Sequence, residues 1–211
     1  PIARLNLATQ GPRQAGSAFK PLVLAAALEQ GIETTAARDL VRRFRYRPDG
    51  TSETWPWAVR VYTLGRFEVL VDDKPLTFGR KTPRKPLALL QYLVAQDDAV
   101  PTQVVADALW PDADGDEGHR RLIAALHRLR GLLGYSEAIR SAGGKLSIDR
   151  QLVWVDLFAV EAAMSGTPAV QDPHAAPVAR IGGTFLEGEL ESPWVIGTRE
   201  RLAARMRHHV R

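Results

Sequence analysis

The spacing of hydrophobic residues changes along the chain, and each change marks a different set of predicted elements. Between residues 58 and 78, hydrophobic residues recur at every second position, which is the pattern of half-buried strands. The alternating positions are Val59, Val61, Thr63, Phe67, Val69 and Val71, followed by a turn at Asp72-Asp73-Lys74 and by Pro75–Phe78. A small antiparallel sheet of about three strands is therefore predicted.

Three segments with helical periodicity follow the predicted sheet. They cover residues 86–96, 102–110 and 116–134. We expect the side chain of Thr102 to cap the second helix, because a threonine there can accept from unpaired backbone N–H groups. Gly134 is the expected stop of the third helix.

A hairpin is predicted after the third helix, over residues 138–148, with Gly143-Gly144 at its tip. We expect residues 152–155 to close against this hairpin. Asp156 is then expected to cap another helix, which ends at Met164.

The helix at 116–134 has two contrasting faces. Its apolar stripe consists of Leu122, Leu126, Leu129 and Leu133. Its opposite face consists of Arg120, Arg121, Ala124, His127, Arg128 and Gly131. This face is cationic and small at its centre, so it suits close contact with DNA. The alternative is a solvated surface helix.

Composition narrows the function classes. The 211 residues include 45% hydrophobic residues and carry a net charge of +4, and the isoelectric point is about 9.7. This basic excess permits anionic partners. The absence of cysteine excludes disulfides and thiol chemistry and fits a cytoplasmic protein. No apolar run reaches the roughly 18 residues of a membrane span. The chain opens on Pro1, which predicts an excised or processed piece.

The motifs from residue 58 onward resemble a known family. LGRFEVLVDDKPL, RKPLALLQYLV, VVADALWPDADGD, HRRLIAALHRLRGLLG and GGKLSIDRQLVWVD occur in the order found in winged-helix domains of bacterial regulators. The pattern is similar to the OmpR-like DNA-binding domain of antibiotic regulatory proteins and of MalT-like ATPase regulators, over residues 58–164. The resemblance implies an α+β winged-helix fold. It also implies a cytoplasmic protein that has no cofactor and is not an enzyme. It also implies a sequence-specific regulator of transcription that binds double-stranded DNA, with a homodimer on repeated half-sites as an option.

The resemblance also implies a domain organisation. Residues 58–157 are the expected winged-helix domain, preceded by a basic helix and linker at 35–57. The sequence FLEGELESPWVIGTRERLAARM resembles the opening of a bacterial transcriptional activator domain, a helical-repeat module. Residues 158–211 are therefore expected to be a truncated start of that module.

In the family, the third helix enters the major groove and the wing reaches the adjacent groove or backbone. The expected DNA contacts are Arg120, Arg121, His127 and Arg128 on the helix, and Arg140, Ser141 and Lys145 on the wing. A basic cluster before the first helix adds Arg80, Lys81, Arg84 and Lys85. Each arginine on the helix could read guanine or only hold a phosphate. His127 could instead cap or pack within the domain, Arg130 could be a structural ion-pair partner, and Gly143-Gly144 could be turn chemistry alone.

An acidic loop precedes the third helix, with Asp112, Asp114, Asp116 and Glu117. The spacing resembles the start of a calcium loop, but Gly115 is misplaced and the closing glutamate is missing. We therefore expect no metal. Carboxylates at a helix N-terminus are favourable in any case. The resemblance implies that Asp112, Asp114 and Asp116 are offered to RNA polymerase or another partner protein.

Residues 1–34 carry a different resemblance. NLATQGPRQAGSAFKP is similar to the S-x-x-K region of penicillin-binding protein transpeptidases, in which Ser17 would be the nucleophile beside Lys20. The rest of that site is missing, because no S-x-N occurs and Lys81-Thr82-Pro83 has proline where the family has glycine. We expect Ser17 to be inert. The alternatives to DNA binding are a protein-interaction module and a remnant serine acyl-transferase.

Overall fold

The computed structural model describes residues 53, 55–79, 81–96, 98–164, 183–189 and 192–209. The predicted transpeptidase-like segment with Ser17 and Lys20, and the basic helix at 35–47, lie outside the described residues. The predicted linker ends inside the folded part, because Trp55 and Trp57 are each only 3% exposed.

The first sheet begins with three antiparallel strands, as predicted. Strands β1 (Val59–Tyr62), β2 (Glu68–Val71) and β3 (Lys74–Pro75) pair in sequence order, with Val61 opposite Val69. Asp72 and Asp73 form the turn between β2 and β3, with φ angles of 50° and 65°. Aspartate tolerates this left-handed region better than most residues, which explains the tight connection between β2 and β3.

The three predicted helices are confirmed as α1 (Arg84–Gln96), α2 (Thr102–Leu109) and α3 (Gly115–Leu133), with a short strand β4 (Val100–Pro101) before α2. The predicted cap at Thr102 is wrong. The N-cap is Pro101, no side chain caps the helix, and Thr102 is its first residue. The backbone N–H of Thr102 instead donates to the carbonyl of Gly144, at 2.9 Å. The hairpin carbonyl thus satisfies the N–H of the first residue of α2, while no side chain caps the helix.

Both ends of α3 have local causes in the sequence. The Asp114 carboxylate accepts a hydrogen bond from the backbone N–H of Glu117, at 2.7 Å, so Asp114 is the N-cap. Gly134 ends the helix with a φ of 69°, which confirms the predicted stop. The predicted apolar stripe is also confirmed, since Leu122, Leu126, Leu129 and Leu133 are all buried.

The predicted hairpin is confirmed as β5 (Ile139–Ala142) and β6 (Lys145–Ile148), which form a three-stranded sheet with β4 in the order β4-β6-β5. Gly143 and Gly144 have φ angles of 57° and 70°. Two successive left-handed residues are the signature of a type I′ turn, which requires glycine or a similar residue.

The expectation that residues 152–155 close against this hairpin is wrong. Strand β7 (Val153–Val155) instead lies parallel to β1, with Val61 opposite Val155, so the first sheet has the order β3-β2-β1-β7. All three residues of β7 are buried. A strand that is apolar throughout suits a position covered on both faces, which a solvent-exposed wing does not offer.

Helix α4 (Asp156–Met164) follows β7 directly and begins at the predicted aspartate. The Asp156 carboxylate is buried and accepts hydrogen bonds from the backbone N–H groups of Thr63, Leu64 and Leu157 and from the Thr63 hydroxyl, at 2.7–2.9 Å. Burial raises the pKa of Asp156, while these hydrogen bonds act in the opposite direction. The aspartate therefore joins the start of α4 to the end of β1, and within its own helix it accepts only from the adjacent Leu157.

A last helix, α5 (Pro193–His209), lies within the segment expected to open a helical-repeat module. Phe185, Leu186, Val195 and Leu202 are buried in the same hydrophobic core as the sheet and α1–α3. The described part of the chain is therefore an α+β structure, and its order of sheet, three helices and hairpin is compatible with a winged-helix-like fold.

Candidate nucleic-acid interface

The outward face of α3 is the predicted one. Its exposed residues include Arg120, Arg121, Ala124, His127, Arg128 and Gly131. The buried leucine stripe holds the helix against the core, so these side chains project away from the protein. The structure therefore brings the predicted helix residues together on one accessible surface, which we call the α3 face.

Arg120 and Arg121 share one carboxylate on this helix. The Glu117 oxygens lie 2.9 Å from Nη2 of Arg120 and 2.7 Å from Nε of Arg121. The side chain of Arg120 is 74% exposed, so these pairs are solvent-screened and weak. They orient both guanidinium groups without burying them.

Arg128 and His127 are exposed and make no hydrogen bond or ion pair with any described residue. Arg128 lies on the same flank of α3 as Arg121, because residues seven apart are nearly aligned on a helix. Its guanidinium group is therefore a cation without a counterion in the described part of the chain.

Arg130 differs from these residues. Its Nε and Nη2 donate to the carbonyl oxygen of Ile139, at 3.2 and 2.7 Å. The structural role predicted for Arg130 is thus present, but the partner is a backbone carbonyl and not a carboxylate. Arg130 fixes the end of α3 to the first strand of the hairpin.

The hairpin places its predicted residues on two faces. Directly paired residues share a face and alternate residues return to it, so the pairs Arg140–Ser147 and Ala142–Lys145 put Arg140 and Lys145 on the same side. Ser141 pairs with Leu146 on the opposite side, which leads into the core, although Ser141 itself is exposed. Lys145 has no described ion pair.

Arg140 has an internal partner. Its Nε lies 3.0 Å from Oδ2 of Asp149, a residue that is only 1% exposed on its side chain. The side chain of Arg140 is still 55% exposed, so part of it reaches solvent. It compensates a buried carboxylate at the base of the hairpin and presents a cation at the surface.

The residues of the basic cluster before α1 differ in whether they contact the rest of the protein. Arg80 lies outside the described residues, while Lys81 and Arg84 are exposed and have no described ion pair. Lys85 donates from Nζ to the carbonyl of Leu109 at 2.6 Å and lies 5.3 Å from the centre of the Trp110 ring. Lys85 therefore binds the C-terminus of α2, where a cation is favourable.

One residue of the acidic loop before α3 also stabilises the fold. Asp114 is the N-cap, whereas Asp112 and Asp116 are exposed and their carboxylates have no described partner. Among the described residues, no group of three or more potential ligands is placed to hold a metal ion. No described helix is long and apolar enough to cross a membrane.

Two residues of α3 belong to the candidate site although the sequence patterns did not assign them to it. Glu117 was noted only as part of an acidic loop, although it pairs with two of the predicted arginines. Ile123 is 53% exposed at the edge of the α3 face. Ile123 lies three residues after Arg120 and three before the buried Leu126, so the spacing places it at the edge between the two faces and does not by itself predict its exposure.

The chain is similar to Mycobacterium tuberculosis EmbR, solved in complex with a low-affinity phosphopeptide, with 21% identity and a TM-score of 0.49. The similarity covers 72% of this chain and 44% of the EmbR chain, so the chain spans less than half of that protein's length. No family model and no curated protein sequence matches the chain.

Proposed function

We propose that this protein binds double-stranded DNA as the winged-helix domain of a transcription regulator, with α3 in the major groove. The observation that carries the proposal is the α3 face, where exposed arginines surround the small residues Ala124 and Gly131. The major groove admits one α-helix, and small residues at the contact allow the helix to approach the base edges.

The arginines of the α3 face supply both kinds of contact that such a helix needs. Arg120, Arg121 and Arg128 are long enough to reach guanine O6 and N7 or a phosphate oxygen. His127 adds a further donor or acceptor. Because the pairs between Glu117 and the two arginines are exposed, contact with DNA can replace them at little cost.

The hairpin provides a second set of DNA contacts. Lys145 and Arg140 share one side of it, and both can meet phosphates or the adjacent groove. Ser141 contributes a hydroxyl near the tip. Lys81 and Arg84, near the N-terminus of α1, would contact DNA phosphates. We propose the same role for Arg80.

The exposed carboxylates of Asp112 and Asp116 suit a protein partner, for which RNA polymerase is our candidate. Asp114 contributes by fixing the end of the loop. Residues 158–211 would open a helical-repeat activator domain, and two copies of the chain would occupy repeated half-sites.

Selection of bound duplexes from a random pool tests the proposal. We expect enrichment of a defined motif, and binding with a log K against log salt slope of about −4 to −5 if about five phosphates are contacted. Failure to retain any duplex, or retention that does not depend on salt, would contradict DNA binding.

A protein-interaction module is the second candidate. It is favoured by α5, where Ile196 and Met206 are 41% and 51% exposed. A pull-down of partner protein that survives loss of all basic residues between 120 and 145 would support this candidate over the first.

A further inference from the structure

An exposed isoleucine lies beside Arg120 at the edge of the α3 face. Ile123 is 53% exposed, which is the highest exposure among the large hydrophobic residues that the structure describes as exposed. The others lie elsewhere: Val104 is on α2, and Ile196 and Met206 are on α5. Ile123 is therefore the large hydrophobic side chain on the surface that we propose meets DNA.

The helix geometry places Ile123 next to the charged residues of that surface. It is three residues after Arg120 and four before His127, the two spacings at which side chains on a helix are neighbours. Ala124, beside it, is also exposed. The α3 face thus has an arginine flank formed by Arg121 and Arg128 and an apolar flank formed by Ile123.

The chemistry of isoleucine restricts what this flank can recognise in a major groove. An aliphatic side chain neither donates nor accepts a hydrogen bond, and it would leave the polar edges of guanine, cytosine or adenine without partners. The one apolar group that a base pair presents there is the C5-methyl of thymine. Isoleucine is also stiff in a helix, because its β-branch leaves one preferred rotamer, so little freedom is lost on contact.

We propose that Ile123 is a specificity-determining residue that reads a thymine methyl group in the bound duplex. This inference rests on the proposed function, since it requires α3 to lie in the major groove. It assigns a role that the arginines cannot fill, because they select guanine or hold phosphates.

The test replaces thymine by deoxyuridine, one position at a time, in a duplex obtained by the selection described above. Deoxyuridine keeps every hydrogen-bonding group of thymine and removes only the methyl. At one position of each half-site we expect about fourfold weaker binding, which corresponds to ~0.8 kcal/mol for one buried methyl-sized group. The Ile123→Ala variant should bind the thymine duplex more weakly than the parent protein does. It should bind the thymine and the deoxyuridine duplexes with equal affinity.

Val104→Ala provides the matched control, because Val104 is an exposed aliphatic residue of similar accessibility (47%) on a different helix. This variant should retain the full preference for thymine over deoxyuridine. Thermal unfolding should show that Ile123→Ala remains folded, since alanine is a good helix former at an exposed position.

The outcomes separate this inference from the proposed function. If no duplex is bound at all, both are wrong. If the protein binds a defined motif but no thymine position responds to deoxyuridine, or if Ile123→Ala keeps the response, DNA binding stands and the role of Ile123 is wrong.

Discussion

Helices α3 and α5 are both rich in arginine, yet they use these residues differently. On α5, Arg199 donates to the carbonyls of Phe185 and Leu186, and Arg201 donates to the carbonyl of Ala95 at the end of α1. Arg205 pairs with Glu161 of α4. On α3, Arg120 and Arg121 contact only residues of their own helix, namely Glu117 and, for Arg120, the Asp116 carbonyl, and Arg128 has no described partner. A basic helix is therefore a binding surface only to the extent that its cations are not already used to hold the fold together.

The largest expected effect comes from removing the outward cations of α3. The triple variant Arg120→Ala, Arg121→Ala and Arg128→Ala should weaken binding to the selected duplex by at least about 100-fold, since each contact contributes ~1–3 kcal/mol. Its unfolding temperature should stay close to that of the parent protein, because all three side chains are exposed. Fluorescence anisotropy and thermal unfolding check the two parts. A large loss of stability would show that these arginines stabilise the fold, as those of α5 do.

The next effect concerns α5. Arg199→Ala removes two hydrogen bonds from a charged donor to backbone carbonyls, so the free energy of unfolding should fall by about 1.5–3 kcal/mol. Urea denaturation measures this change, and the folded fraction should bind DNA as before. Arg207→Ala is the matched control, because Arg207 is exposed and has no described partner. Equal stability of the two variants would remove the distinction between the helices.

A smaller effect tests the acidic loop before α3. Asp114→Ala should lower the free energy of unfolding by about 1 kcal/mol through loss of the N-cap. The neighbouring Asp112→Ala should change stability by less than about 0.5 kcal/mol, as surface substitutions do. Denaturation curves of the two variants decide whether Asp114 belongs to the fold, and identical curves would contradict its role as the cap.

The smallest effect concerns the carboxylate among the α3 cations. Glu117→Gln removes a negative charge from the face that we propose meets DNA, and the exposed pairs that it breaks contribute only about 0–1 kcal/mol. We expect binding to the duplex to tighten by a few-fold at low salt, with a difference that shrinks as salt is added. Weaker binding of this variant would show that Glu117 is needed to position Arg120 and Arg121.

Local patterns in the sequence were sufficient for the elements near the site. The leucine spacing of α3, the stop at Gly134 and the Gly143-Gly144 turn each follow from interactions within a few residues, and all three are present. The outward face of α3 could be predicted for the same reason, because it is the complement of the buried stripe.

Features that depend on distant partners could not be predicted in this way. The parallel pairing of β7 with β1 joins residues more than 90 positions apart, and so does the Asp156 carboxylate with Thr63 and Leu64. Arg140 and Lys85 read as free cations in the sequence because Asp149 and the carbonyl of Leu109 become their neighbours only in the folded chain. Charge patterns therefore give the candidates, and the packing decides which of them remain available.

The salt dependence of duplex binding by the parent protein and by Arg128→Ala tests the central claim most directly. If Arg128 holds a phosphate, the slope of log K against log salt should fall in magnitude by about 1, and if it reads a base, affinity should fall and specificity should relax at one position. Arg207→Ala should leave both the slope and the specificity unchanged. Equal behaviour of the parent protein, Arg128→Ala and Arg207→Ala would contradict the assignment of the α3 face to DNA.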